Sequence, residues 1–120
     1  MREELELFAH NLNVYMNKYG LNQLELAEKL GKSTSIVNDW CHAKKFPRLS
    51  TLDEMTKLFN CKRSDLLERY TTEETIKASE IENEINDYMA KLNADGLEHL
   101  LQYFKDLNPK FFKGGEENVQ

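Results

Sequence analysis

The sequence predicts an all-α protein. Apolar residues recur at spacings of three and four through most of the chain, no run alternates apolar with polar residues, and only two prolines interrupt 120 residues. Glycine and asparagine fall between the periodic stretches, where helices must end and begin. A chain of this length supports one domain with its own core plus an appendage, rather than two domains of ordinary size.

The first helix spans about residues 3–18, with Leu5, Phe8, Leu12, Tyr15, Met16 and Tyr19 along one side and Gly20 after it. Asn22 is a good N-cap for a second helix over residues 23–30, whose apolar face is Leu26, Ala27 and Leu30. Gly31 closes that helix in the left-handed conformation, and Ser33 caps a third helix opening at Thr34. At about 100° per residue, Ile36, Trp40 and Val37 lie roughly 200°, 240° and 300° from Thr34 and form a packing stripe. Trp40, beside Ile36 on this stripe, belongs to the core. Ser35, Asn38, Asp39 and His42 lie between about 40° and 140° and form a small polar face of the kind that hydrogen-bonds to base edges in a groove.

Pro47 forbids helix continuation and biases Phe46 toward an extended backbone, so Lys44, Lys45 and Arg48 lie on a basic loop. A fourth helix carries Leu49, Leu52, Met55, Leu58 and Phe59, with Ser50 or Thr51 near its start and Asn60 just past its end. A short fifth helix over residues 63–69 adds Leu66 and Leu67. The formal charge of −5 runs against the basic balance usual in a nucleic-acid binder. It is unevenly placed, however: residues 1–70 carry 11 Lys+Arg against 10 Asp+Glu, net +1, and residues 71–120 carry 5 against 11, net −6. Lys29, Lys32, Lys44, Lys45 and Arg48 surround the third helix and only Asp39 opposes them, so the local field is positive.

The residues Leu21-Asn22-Gln23, Leu26-Ala27, Leu30-Gly31, Ser33, Val37, Trp40, Pro47, Leu52 and Leu66-Leu67 resemble the helix-turn-helix domain of lambda-repressor-like regulators, the XRE family. The resemblance covers roughly residues 5–70. It implies five helices, the second crossing the DNA backbone and the third in the major groove. It further implies that Gln23, Thr34, Ser35, Asn38 and Asp39 face bases, and that Asn22, Lys32, Ser33, His42, Lys44, Lys45 and Arg48 serve the phosphates. Three positions depart from the family pattern: Lys32 stands where an aliphatic residue is common, Lys62 where a Ser or Thr cap is common, and Ala43 where Gly is common. Alanine resists positive φ, so the third helix is expected to close differently.

In the second half, Thr71 and Glu74 offer a capping box for a long helix over residues 73–92. Ala78, Ile81, Ile85, Tyr88 and Leu92 make a narrow seam typical of helix pairing. Asn93-Ala94-Asp95-Gly96 breaks the chain. Asn93 then caps a last helix ending near residue 107, with Leu92 and Leu97 as a hydrophobic staple and Leu97, Leu100, Leu101, Phe104 and Leu107 as its stripe. A hairpin of two such helices buries little alone, so a second copy of the chain is expected to cover it, making a homodimer or higher homo-oligomer through Ile81, Ile85, Tyr88, Leu92, Leu97, Leu100, Leu101 and Phe104. The alternative folds the hairpin back on helices one and five of its own chain. Short segments of this type resemble those of temperate-phage and mobile-element repressors. The organisation is thus a DNA-binding domain at 1–70, an oligomerisation segment at 71–108 and a disordered tail at 109–120, where Phe111 and Phe112 alone look able to dock.

Other classes find little support. Cys41 and His42 diverge by about 100° on a helix and no second CxxC or HxxxH pair exists, so neither a metal nor a cofactor is expected. The N-terminus does not read as a signal peptide and no apolar run approaches the roughly 20 residues that span a bilayer, which points to a cytoplasmic protein with no membrane role. No catalytic constellation stands out, and the helical second half leaves no β domain for self-cleavage. The reading is a non-enzymatic, sequence-specific transcription regulator on double-stranded DNA, a repressor binding a two-fold operator as a dimer. A second reading makes the acidic hairpin a grip for another protein, such as an antirepressor or a toxin.

Overall fold

The computed structural model describes residues 2–114, and the regular structure among them is entirely helical. In chain order the helices are α1 (Arg2–Lys18), α2 (Gln23–Leu30), α3 (Thr34–Cys41), α4 (Leu49–Leu58), α5 (Arg63–Leu67), α6 (Glu73–Met89) and α7 (Ala94–Asp106), followed by a 3-10 turn at Pro109–Phe111. Among the described residues, no helix is long and apolar enough to cross a membrane. Two compact units meet between Glu80 and Ile81, inside α6.

In the first unit α1 is the spine: it packs on α3 and α5, α2 packs on α3 and α4, and α4 packs on α5. The core joins Phe8, Leu12, Tyr15 and Met16 of α1 to Leu26, Ala27 and Leu30 of α2, Val37, Trp40 and Cys41 of α3, Leu52 and Met55 of α4, Phe59, and Leu66 of α5. The Tyr15 and Phe59 rings stack at 5.3 Å, and the Tyr19 hydroxyl donates to the Phe59 carbonyl at 3.0 Å. Ile76 is buried in the same core, so the opening of α6 belongs to this unit, which extends past the expected boundary at 70.

One device ends each of the first four helices. The residues that follow them, Gly20, Gly31, Ala43 and Asn60, have φ of 65°, 66°, 60° and 50°. The next amide then reaches back across the turn: Leu21 to Met16, Lys32 to Ala27, Lys44 to Asp39 and Cys61 to Thr56, all at 2.9 Å. These closures satisfy carbonyls that a helix end leaves without partners. The expectation that α3 would close differently is therefore corrected. Ala43 takes the glycine conformation despite its Cβ, at a cost of about 1–2 kcal/mol, because burial of Trp40 and Cys41 dictates where the chain must turn.

Helix starts follow the residues. Asn22 accepts from the Glu25 amide at 2.8 Å and Glu25 accepts from the Asn22 amide at 3.0 Å, a full capping box. Ser33 accepts from the Ile36 amide at 3.1 Å. Arg48 precedes α4 without a side-chain cap. At α5, Asp65 accepts from the Lys62 amide at 2.9 Å. The α6 capping box is displaced by one residue from the expected Thr71 and Glu74: Thr72 accepts from the Thr75 amide at 3.2 Å and Thr75 from the Thr72 amide at 2.8 Å.

Thr71 is occupied elsewhere because it is buried. Its hydroxyl donates to the Asp65 carbonyl at 2.6 Å, and its amide donates to the Asn11 side-chain oxygen at 2.7 Å. The Asn11 amide group donates to the carbonyls of Leu66 at 2.9 Å and Arg69 at 2.8 Å. One fully buried side chain on α1 thus satisfies three backbone groups where α5 ends, which is why α5 stops at Leu67 rather than near residue 69.

The second unit contains the rest of α6 and α7. Asn93 caps α7, accepting from the Gly96 amide at 2.9 Å, and no residue of α7 is buried. α6 ends at Met89, short of Leu92. Asn108 caps the turn at Pro109–Phe111, accepting from the Lys110 amide at 2.9 Å, and residues 115–120 of the tail expected to be disordered lie outside the described residues.

Ala43→Gly should relieve left-handed strain in excess of the entropy it adds to the unfolded chain, stabilising the domain by about 0.5–1 kcal/mol. Thermal melts would show this as a rise of a few degrees, and an unchanged or lower midpoint would contradict it. Asn11→Ala leaves two carbonyls and one amide without their partner and should destabilise by about 3 kcal/mol in denaturant titrations; a loss under about 1 kcal/mol would show that the network is dispensable.

Candidate nucleic-acid interface

Helix α3 is held by its inner face. Val37 and Trp40 are 0% and 2% exposed and Cys41 is buried beside them. The Asn13 side-chain amide donates to the Cys41 carbonyl at 3.2 Å, so α1 also grips the end of α3. Asn13 was not singled out from the sequence, since a polar residue on an amphipathic helix carries no signal that it will reach a neighbouring helix end.

The opposite face is open. Thr34 and Ser35 are exposed, Asn38 and Asp39 partly so, and among the described residues the side chains of Thr34, Ser35 and Asn38 form no hydrogen bond. Gln23 sits partly exposed in the first turn of α2, next to the cap residue Asn22. Asn22 and Ser33 use their oxygens as helix caps, yet a carboxamide keeps its N–H groups and a hydroxyl its proton for an outside acceptor. The first turns of α2 and α3 thus each present backbone amides with a side-chain donor alongside, an arrangement suited to phosphate.

Lys32, Lys44, Lys45 and Arg48 are all exposed. Among the described residues, Lys32, Lys44 and Arg48 form no ion pair, whereas Lys45 lies 3.7 Å from the Asp39 carboxylate. The structure thus joins a residue read as base-facing to one read as phosphate-facing, across the turn that Ala43 makes. The pairing softens the repulsion an isolated carboxylate would feel near phosphates. His42 lies at the end of α3 with Nδ1 2.8 Å from the Asn38 carbonyl; a carbonyl only accepts, so Nδ1 carries the proton and Nε2 is left for other partners.

One residue of the expected packing stripe is displaced. Ile36 is 39% exposed and lies outside the core, while Cys41 takes the place it was expected to fill. The core selects an arc of the wheel centred near 290°, where Val37, Trp40 and Cys41 at about 300°, 240° and 340° are buried, and Ile36 at about 200° falls on its rim. The cysteines are free, and their chemistry is quiet. Burial raises the Cys41 thiol above its usual range and pushes Cys61 up to about 12, with the Asp65 charge adding to the latter. Both stay protonated near neutrality, which makes them poor nucleophiles.

The eight residues expected to join two copies, Ile81, Ile85, Tyr88, Leu92, Leu97, Leu100, Leu101 and Phe104, lie on α6, α7 and the segment between them, and all except the partly buried Leu100 are exposed.

The profile of the Cro/C1-type HTH DNA-binding domain matches residues 11–72, just over half of the chain. Among solved structures, the solution structure of the SOS-response transcriptional repressor LexA from Eubacterium rectale is 35% identical, with a TM-score of 0.53, over 55% of this chain and 70% of that one. No curated protein matches the chain. The matched segment runs from the buried Asn11 to the α6 cap and contains every residue of the polar face and its basic border. The chain belongs to the Cro/C1-type helix-turn-helix family and is a DNA-binding transcription regulator.

Proposed function

We propose that the chain is a repressor that binds a two-fold operator as a homodimer and acts by occluding a promoter. The observation that carries the reading is the outer face of α3, where the side chains of Thr34, Ser35 and Asn38 form no hydrogen bond among the described residues and the neighbouring Lys32, Lys44 and Arg48 form no ion pair. In the major groove those side chains, with Gln23 and Asp39, read base edges. Asn22, Ser33, Lys32, His42, Lys44, Lys45 and Arg48 contact phosphates and set the register. Asp39 accepts from a cytosine amino group or excludes sequences that offer none, and its ion pair keeps Lys45 close to the strand it serves.

One such helix makes too few contacts for useful specificity, and dimerisation doubles them. The exposed apolar residues of α6 and α7 support this step, since a second copy would bury them. Half-sites then lie about 34 Å apart, or a multiple of that. The same exposed face also favours the second reading, in which an antirepressor or toxin occupies it. Selection of duplexes from a random pool, followed by footprinting, tests the main proposal: a palindromic consensus supports it, and a single unpaired site with a monomer bound removes the dimer.

Asn38→Ala should flatten the preference for the selected consensus while leaving random duplex binding nearly unchanged. Lys44→Ala should weaken both alike and reduce the slope of log K against log salt by about 0.9. Equal losses on both duplexes for Asn38→Ala would refute its assigned role.

Self-association should respond to salt in the opposite direction from DNA binding. Residues 71–120 carry 5 cationic against 11 anionic side chains, so two copies repel, and screening should strengthen the dimer while weakening the DNA complex. Leu101→Glu should give a monomer without unfolding, since α7 buries no residue. Sedimentation velocity at low and high salt would settle both points, and a monomer under all conditions rules the dimer out.

A further inference from the structure

We propose that Ile36 is a specificity-determining residue that seats against the C5-methyl group of a thymine in each half-site, an inference resting on the base-reading role of α3 given above. Ile36 is 39% exposed, and it is the only large apolar side chain of α3 that reaches solvent to this extent. Its place at about 200° on the wheel adjoins Asp39 at about 140°, on the border between the open face and the buried arc. Ser33 accepts from its backbone amide at 3.1 Å, which fixes the first turn of the helix. A β-branched side chain in a helix keeps essentially one χ1 rotamer, so the two branches of Ile36 are held in place before any duplex arrives.

That geometry selects its own ligand. Of the groups presented in the major groove, the thymine C5-methyl is the apolar one, and the others are hydrogen-bond donors and acceptors. An isoleucine pressed against guanine O6, adenine N6 or cytosine N4 would strip water from a polar atom and offer nothing in return. Against a thymine methyl the same contact removes apolar surface from water on both sides. Thr34, Ser35 and Asn38 would then read by hydrogen bonding while Ile36 reads by exclusion of water, so that T is separated from C at a position where no hydrogen bond is made.

The full chain is used to select a consensus duplex, and each thymine of that duplex is replaced in turn by deoxyuridine, which removes the methyl group and nothing else. One thymine per half-site is expected at which the replacement weakens binding about fourfold, the effect of one buried methyl group. Ile36→Ala should bind the thymine and deoxyuridine duplexes equally at that position, and Ile36→Val, which keeps the branch, should retain most of the difference. Far-UV circular dichroism confirms that both variants keep the fold. A consensus in which no methyl effect depends on residue 36 overturns this inference and leaves the base-reading role of α3 standing. Recovery of no consensus at all overturns both.

Discussion

Burial of one face of α3 is the constraint on which the rest of this molecule depends. Val37 and Trp40 give the helix a fixed roll about its axis, because each contributes about 2–3 kcal/mol only in the orientation that places it in the core. With that roll set, Thr34, Ser35 and Asn38 have to point outward. The Asn13 bond to Cys41 and the left-handed turn at Ala43 then fix where the helix ends and where the basic loop begins. A surface held in this way is preorganised, so little side-chain or backbone ordering remains to oppose binding of a ligand there.

The domain is closed at a second place by polar atoms rather than apolar ones. Asn11 lies fully buried and survives there because its amide and its oxygen all find backbone partners near the end of α5. That network makes Thr71 structural and hands the capping of α6 to Thr72 and Thr75. α6 therefore leaves the domain from a fixed start. Its first residues belong to the core through Ile76, and its later ones carry apolar side chains that the second unit leaves uncovered.

Charge divides along the same line. The first half holds Lys29, Lys32, Lys44, Lys45 and Arg48 on either side of α3 in the chain, whereas the second half is acidic and apolar by turns. A bulk charge of −5 thus hides two surfaces of opposite character, and only their separation along the chain lets one protein carry both.

What the sequence determined by itself rests on short-range chemistry. The spacing of apolar residues located the helices, Asn22 and Ser33 marked their caps, Gly20, Gly31 and Asn60 marked their ends, and the hydroxyl and amide groups of α3 marked the candidate site. Each of those signals acts within one or two helical turns, so it could be read without knowing the fold. What only the tertiary structure decided depended on partners distant in the chain. Ile36 and Cys41 exchange places because the direction of the core, not the wheel alone, selects the buried arc. Ala43 accepts a left-handed turn because packing on both sides demands it. Asn11 and Thr71, 60 residues apart, meet because α1 and α5 pack together. Asp39 finds Lys45 because the turn folds the loop back across α3. Local preference proposes where helices lie, and burial in a shared core decides which of their side chains are left exposed.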